Sequence, residues 1–462
     1  MKITIPTSCS LVAVLALLLL ASFSTPSSAQ AGYFHVELKK GVWWIIDPQG
    51  NQMLSSGVDH ISYQPDQIQG TERYPYTEAI ESIYPDRNAW GLEALSRIRR
   101  WGFNTTGAWS DPELWVHGVP YTVILNFGEH AREEWDRDSP EDVVDVFDAR
   151  FEQTARSIAG KFCRPRRDDH MLLGYFSDNE LRWGPDWRGK ETILELYLKF
   201  PAGSSGHQGA VKFLKEKYGK DINKLNLAWG VKAANFESVT GNGVTEVYQS
   251  DANEFVGDVA TRYFEVSQKA IHEADPNHLY LGARIAFAGN PSDGALRGAR
   301  KVDVVSINVY ELDPRPAVEA AYKLTGRPIL VGEFGVRAED SGLPNTHGAG
   351  PKVATQADRG RAYADYVTRL ESLPESVGYH WFEWVDEPKE GRFEGAGSEG
   401  ENSNYGLVDI QDRPYEGFVE DVKKANLAAF EIHKNLVRTT NVSKEESDAN
   451  TMSHVRVSSK TQ

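Results

Sequence analysis

One unit repeats along this chain from Met53 onward: a short apolar run ending in polar residues, then a stretch whose apolar positions have helical spacing. The runs are Met53 to His60, FNTTGAW, PYTVILNFG, MLLGYFSDNE, HLYLGARIA, VDVVSINVY, PILVGEFGV and VGYHWFEWV. Between them, GLEALSRIRRWG places Leu92, Leu95 and Ile98 on one face before Gly102, and helical spacing returns at 253–273, 317–324 and 358–370. In SPEDVVDVFDARFEQTARSIAGKF, Ser139 predicts the helix cap and Pro140 its first position. Strands that alternate with helices predict a parallel sheet, because a parallel neighbour is reached only through a long crossover. Eight such strands favour an α/β fold of the closed (β/α)8 TIM-barrel kind over an open doubly wound sheet. No strand leads through a glycine-rich phosphate loop into a helix; GAGSEGENS follows the last strand without a helical pattern behind it.

The remaining segments fit around that frame. HVELKKGVWWIIDPQGNQMLSSGVDHIS reads as strand, turn and strand, with Pro48, Gln49 and Gly50 at the turn. Between 187 and 250, KETILELYLKF, GAVKFLKEKYG and INKLNLAWG all have helical spacing, which predicts a helical insertion after strand four. At the start, Lys2, the apolar run Leu11 to Leu20 and small residues at Ser27, Ser28 and Ala29 predict a signal peptide over 1–29, cleaved after Ala29 or Ala31. The run is about half the roughly 20 residues of a spanning helix, so no membrane partner is expected after its removal and the destination is secreted or periplasmic. The barrel is then expected over 30–435, and 436–462, rich in Ser, Thr, Glu and Lys, as a disordered tail. Cleavage removes Cys9 and leaves Cys163 alone, so the exported chain relies on its core rather than on an internal disulfide. A net charge of -16, from 66 acidic against 50 basic residues, argues against a nucleic-acid partner. No interface, and hence no oligomeric state, is legible in the pattern.

In barrels of this kind the reacting groups stand at the carboxyl ends of the strands. Here those ends carry Asp59 and His60, Asn104 and Trp109, Asn179 and Glu180, Arg284, Asn308 and Tyr310, Glu333, and Trp381 and Trp384. Glu180 ends the fourth strand and Glu333 the seventh. From opposite sides of the mouth, long glutamate side chains can approach to about 5 to 5.5 Å, the separation for double displacement at a glycosidic carbon. One carboxyl must hold a proton for the leaving oxygen while the other attacks ionised, which assigns Glu180 as acid/base and Glu333 as nucleophile. A lone glutamate would read as a rim ion pair; the pair, with Asn179 to bond a sugar hydroxyl and Tyr310 and Arg284 to hold the nucleophile ionised, reads as catalytic.

GYFSDNELRWG and PILVGEFG resemble the fourth- and seventh-strand signatures of the retaining glycoside hydrolases with paired glutamates. WFEWVDEPKEGRFEGAGSEGENSNYGLVDIQDRPY resembles the last-strand region of the agarases of glycoside hydrolase family 50, and GVWWIIDPQGNQMLSSGVDHI, GEFGVRAEDSGLP and ADRGRAYADYV are similar to that family too. The helical stretch with LNLAWG is similar to one in family 42 β-galactosidases. The resemblance implies hydrolysis of a β-linked galactose-containing oligo- or polysaccharide, with β-galactosidase or β-mannanase-like specificity as the alternative within enzymes and a non-catalytic sugar-binding barrel outside them.

Sugar sites pair flat aromatics with planar hydrogen-bonding groups. Trp109, Trp183, Trp187, Trp381, Trp384 and Tyr405 are the candidates, with Trp183 and Trp384, each beside a strand-end motif, the expected platforms. His60 and His347 are candidates to bind sugar hydroxyls or to serve as metal ligands. No His-x-x-x-His or Cys/His cluster predicts a metal, no Gly-x-Ser-x-Gly elbow predicts a serine nucleophile, and the chemistry requires no cofactor.

Overall fold

A computed structural model of the chain describes residues 32–135, 143–241, 243–287, 293–394 and 400–457; the expected signal peptide lies outside them. The amino-terminal strands β1 (His35–Lys39), β2 (Val42–Ile46) and β3 (Gln52–Met53) form a small antiparallel sheet. Met53 therefore belongs to this sheet rather than to the first strand of the repeat, which is β4 (Ser55–Val58). The sheet docks beneath the main one: Trp43 N–H donates to Pro374 C=O, just before β14 (Ser376–Trp381).

The main sheet has nine strands, all paired in parallel. With β5 (Thr105–Thr106), β6 (Tyr121–Ile124), β7 (Leu172–Phe176), β8 (Leu279–Tyr280), β9 (Ile285–Ala286), β10 (Val305–Asn308) and β11 (Ile329–Phe334), its order is β8-β7-β6-β5-β4-β14-β11-β10-β9. A further parallel pair, β12 (Arg337–Ala338) and β13 (Lys352–Val353), joins the loops beyond β11. HLYLGARIA, expected as one strand, is divided into β8 and β9 by a turn through Gly282, at φ 83°, and Arg284, at φ 47°.

Alternation, interrupted by one register shift that skips Leu173 of β7 and another that skips Val377 of β14, sorts the strand residues between two cores. Leu173 and Phe176 of β7, Leu330 of β11 and Val377 of β14 meet Phe34 and Ile45 of the amino-terminal segment inside the curled sheet. Their neighbours Leu172, Tyr175, Ile329, Val331 and Tyr379 face the helices in the larger core. The helices start where short polar side chains supply the missing acceptor: Asp86 caps Arg87–Arg100 from Ala89 N–H, and Thr245 caps Glu246–Ala274 from Tyr248 N–H. The helix expected from Ser139 instead begins at Ala149, capped by Asp148; Ser139 and Pro140 lie outside the described residues. An aspartate there can take the orphaned Arg150 N–H, whereas the preceding Val143, Val144 and Val146 are buried against the core outside any helix.

Helices Ile193–Lys199, Ser205–Lys217 and Ile222–Trp229 occupy the stretch between β7 and the long helix. The last helix runs Glu416–Val457, so its backbone extends into the stretch 436–462 that composition reads as a disordered tail. Among the described residues no helix is long and apolar enough to cross a membrane.

Candidate active site

Left-handed backbone collects where the parallel strands end. His60 after β4, Trp109 after β5, Asn126 after β6, Glu180 after β7 and Arg284 before β9 all have φ between 47° and 59°. Each costs an L-residue with a Cβ some strain, and such residues cluster where a side chain must be aimed rather than merely packed. Sequence reading selected four of these positions from residue type alone; Asn126 escaped it because a lone asparagine after an apolar run is also ordinary turn chemistry.

Around these ends one hydrogen-bonded network joins five strands. Arg284, fully buried, donates through Nη2 to Glu333 Oε1 at 2.6 Å and to Asp59 Oδ2 at 2.8 Å, and through Nε to Asn179 Oδ1 at 2.8 Å. Tyr310 O–H donates to the second oxygen of Glu333 at 2.8 Å. Asn308 Nδ2 donates to Glu180 Oε1 at 3.0 Å and to Asn179 Oδ1 at 3.1 Å. Asp59 is fixed in turn by Ala108 N–H at 2.9 Å, and Gly107 makes that approach possible, since a Cβ there would collide with the Asp59 carboxylate. Trp109 lies against the Arg284 guanidinium, 4.8 Å from its centroid, and meets Phe382 edge-on.

The two glutamates stand in unequal environments. Burial raises Glu180, and the Glu333 charge raises it further, to about 8, with Asn308 opposing. Burial raises Glu333 as well, but the Arg284 guanidinium opposes it at contact distance and Tyr310 donates to it. With one glutamate held by a cation and a phenol and the other by a neutral amide, a single proton shared between them rests on Glu180. The arrangement therefore supplies one acid and one anion in the same site.

Residues that sequence reading missed complete the mouth. Glu383, fully buried after β14, takes a 2.5 Å contact from His60 Nδ1. Burial alone would lower His60, but Glu383 and Asp66 outweigh it and push it up to about 9. Burial pushes Glu383 up too, yet the contact favours the imidazolium–carboxylate pair. Among the described residues His60, Asp66 and Glu383 bring candidate ligand atoms within 4.8 Å of one another. Glu383 was visible in WFEWVDE, but a glutamate between two tryptophans of an apolar strand carries no sign of its histidine partner 323 positions away.

Three of the tryptophans expected at the site are packed elsewhere. Trp381 is buried between Phe334, Tyr363 and Phe418, its Nε1 donating to Tyr405 C=O. Trp384, fully buried, donates to Tyr76 O–H and stacks at a tilt on Trp101. Trp183 is buried against Tyr263 and Phe264. Strand alternation and short loops turn these indoles toward the helices, where a large apolar ring gains most. Trp187, by contrast, is exposed, with Arg188 over its ring and the Arg188 guanidinium donating to Glu180 C=O at 2.8 Å. Asp178 is buried and accepts from Gly128 N–H and Tyr263 O–H, tying β7 to its neighbouring helices rather than entering the network.

No family model matches the chain. It is similar to β-agarase B of Vibrio sp. (strain JT0107), 28% identical over 472 residues covering 87% of this chain and 48% of that protein. β-Agarase A of the same strain is 27% identical, covering 84% and 45%. The chain thus spans about half the length of the curated relatives it matches. Among solved structures it is similar to an exo-β-agarase, with a TM-score of 0.74 and 25% identity over 87% of this chain and 66% of that one. The agarase AgWH50C gives 0.71 and 25%, covering 89% and 66%. The resemblance to family 50 agarases read from the strand-end motifs is therefore found again in sequence and fold over 84 to 89% of the chain.

Proposed function

We propose that this chain is an exported retaining β-glycosidase acting on β-linked galactose-containing oligo- or polysaccharide, with Glu180 as acid/base and Glu333 as nucleophile. The observation that carries the reading is the split of one network between the two carboxyls: Arg284 and Tyr310 occupy both oxygens of Glu333, while Glu180 receives only the Asn308 amide. The substrate class rests on similarity to the β-agarases. Export rests on the leader pattern at 1–29.

In the first step Glu333 bonds to the anomeric carbon as the glycosidic C–O bond breaks and the Glu180 proton passes to the leaving oxygen. Arg284 and Tyr310 keep Glu333 ionised and pointed at that carbon until it attacks, and Asn179, fixed by Arg284 and Asn308, is set to bond the hydroxyl on the neighbouring carbon. In the second, Glu180, now a carboxylate, takes a proton from water; the water oxygen bonds to the carbon and Glu333 departs. The curled sheet is read here as a closed eight-strand barrel with Leu279 to Ala286 as one strand. In support, Leu281 N–H donates to Tyr175 C=O of β7 while its C=O accepts from Ser306 N–H of β10. The helices over 193–229 are read as an insertion on that barrel.

A panel of β-linked oligosaccharides tests the function. Hydrolysis of a galactose-containing member, with early product of retained configuration by NMR, is expected; an inverted product, or full activity in Glu333→Ala, refutes the assignment. Azide should restore Glu333→Ala by forming the α-glycosyl azide.

A further inference from the structure

β14 carries one histidine, His380, which is fully buried and meets the inner-core residue Phe176 edge-on. Its register partner on β4 is Gly57, and a Cβ at that position would come within 2.4 Å of the imidazole. The sheet is thus shaped to admit a polar ring beneath the mouth.

The hydrogens around this ring can be placed from the backbone outward. Ser56 N–H donates to Asn104 Oδ1 at 2.9 Å and Asn104 Nδ2 donates to Leu54 C=O at 2.8 Å, which fixes the amide. Asn104 Oδ1 can only accept, so Thr105 O–H donates to it at 2.9 Å. Thr105 has no second hydrogen, so Ser55 O–H donates to Thr105 Oγ1 at 3.0 Å. Ser55 Oγ must then accept at its other contact, and His380 Nε2, 2.9 Å away, carries a hydrogen.

With Nε2 protonated, the charge of the ring depends on Nδ1 alone. That atom is buried with no hydrogen-bond partner among the described residues, and it faces Asp59 Oδ1 at 3.5 Å. A bare Nδ1 would turn its lone pair toward a carboxylate, leaving two buried acceptors with no donor between them. A protonated Nδ1 makes an ion pair there instead.

The other oxygen of Asp59 is bonded to Arg284, whose Nη2 also serves Glu333. One guanidinium is therefore divided between two carboxylates, and the Asp59 charge acts to raise Glu333. A cation at Asp59 Oδ1 offsets that effect, so that His380, Asp59, Arg284 and Glu333 alternate in sign along one line of contacts. Tyr310 and Glu180 are the remaining titratable groups acting on Glu333.

We infer that His380 is a buried imidazolium and a positioning residue: it neutralises Asp59, which leaves the Arg284 charge to hold Glu333, the proposed nucleophile, ionised. This rests on the hydrolase reading and adds to it a group that acts only through its neighbours.

Nitrogen NMR of the chain with ring-labelled histidine reads the charge directly at neutral pH. The two His380 nitrogens should resonate close together, as in imidazolium; the widely separated pair of a neutral ring overturns the inference. In His380→Gln, which keeps a donor for Ser55 but no charge, the acid limb of kcat/KM should move up by about one pH unit. Activity on the acid side of that limb should fall about tenfold, with KM changed less than about twofold. A histidine that only packs would lower the folded fraction and scale the whole profile. An unmoved limb in the folded variant therefore overturns the role of His380 and leaves the hydrolase reading intact. If no member of the oligosaccharide panel is hydrolysed, the hydrolase reading fails, and carbon NMR of Glu333 decides the inference. Its carboxyl should titrate about one unit higher in His380→Gln, and an unchanged titration overturns the coupling. If the variant does not fold, the nitrogen spectrum of the wild-type chain decides alone.

Discussion

Replacing Arg284 with methionine removes the one cation at the centre of the network and leaves a side chain of similar length. Two carboxylates lose their partner at 2.6 and 2.8 Å, and the Asn179 amide loses its donor at 2.8 Å. At an effective dielectric constant of about 20 and a charge separation of about 4 Å, each pair is worth about 4 kcal/mol. Breaking a buried pair by removing one member costs about 3 to 5 kcal/mol of stability, because an uncompensated buried charge remains. The same loss at Glu333, the proposed nucleophile, transferred to the barrier, lowers kcat/KM by about a thousandfold.

The effect has a pH signature. Burial already raises Glu333 above its ordinary 4.5, and Arg284 opposes that shift, so the variant's Glu333 must be raised further. A carboxyl whose folded pKa lies above its unfolded value destabilises the fold progressively as pH rises from the unfolded value through the folded one. The stability deficit of Arg284→Met should therefore be smaller at pH 4.5 than at pH 7.5, and the acid limb of kcat/KM should move to higher pH. Denaturant unfolding at the two pH values and a pH–rate profile measure both. An equal deficit at both pH values, with an unmoved acid limb, would refute the assignment of Arg284 as the group that holds Glu333 ionised.

The proposed mechanism needs Glu180 protonated in its first step, and Glu180 is pushed up to about 8, so kcat/KM should fall as pH rises through that value. In Glu180→Gln, assayed on an aryl glycoside whose leaving group needs no proton, that alkaline limb should vanish; its survival would assign the limb elsewhere. Trp384→Ala should cost about 3 to 5 kcal/mol in urea unfolding, as expected for a large ring lost from the core. Its KM should change less than twofold once corrected for the folded fraction; a large rise in KM with unchanged stability would return Trp384 to the substrate.

The network itself shows how far one sequence can be read. The alternation of strand and helix, and with it the parallel sheet, follows from local periodicity, since a strand and a helix bury one face at different spacings. Strand ends then pointed to Glu180, Glu333, Asn179, Asn308 and Tyr310, because a parallel sheet presents its carboxyl ends together. Which of these touch was not local information. Arg284 meets Asp59 across 225 positions, and His60 meets Glu383 across 323; the curl of the sheet and the pairing of β4 with β14 bring such pairs within hydrogen-bond distance. The tryptophans mark the opposite boundary. Beside a strand-end motif an indole has the same sequence signature whether it faces a sugar or the core, and the direction of its Cβ on the folded backbone sent Trp183, Trp381 and Trp384 inward. Sequence determined which polar groups end the parallel strands of this protein; tertiary packing decided which of them are partners and which neighbours are buried support, because partnership depends on distances that the chain order does not contain.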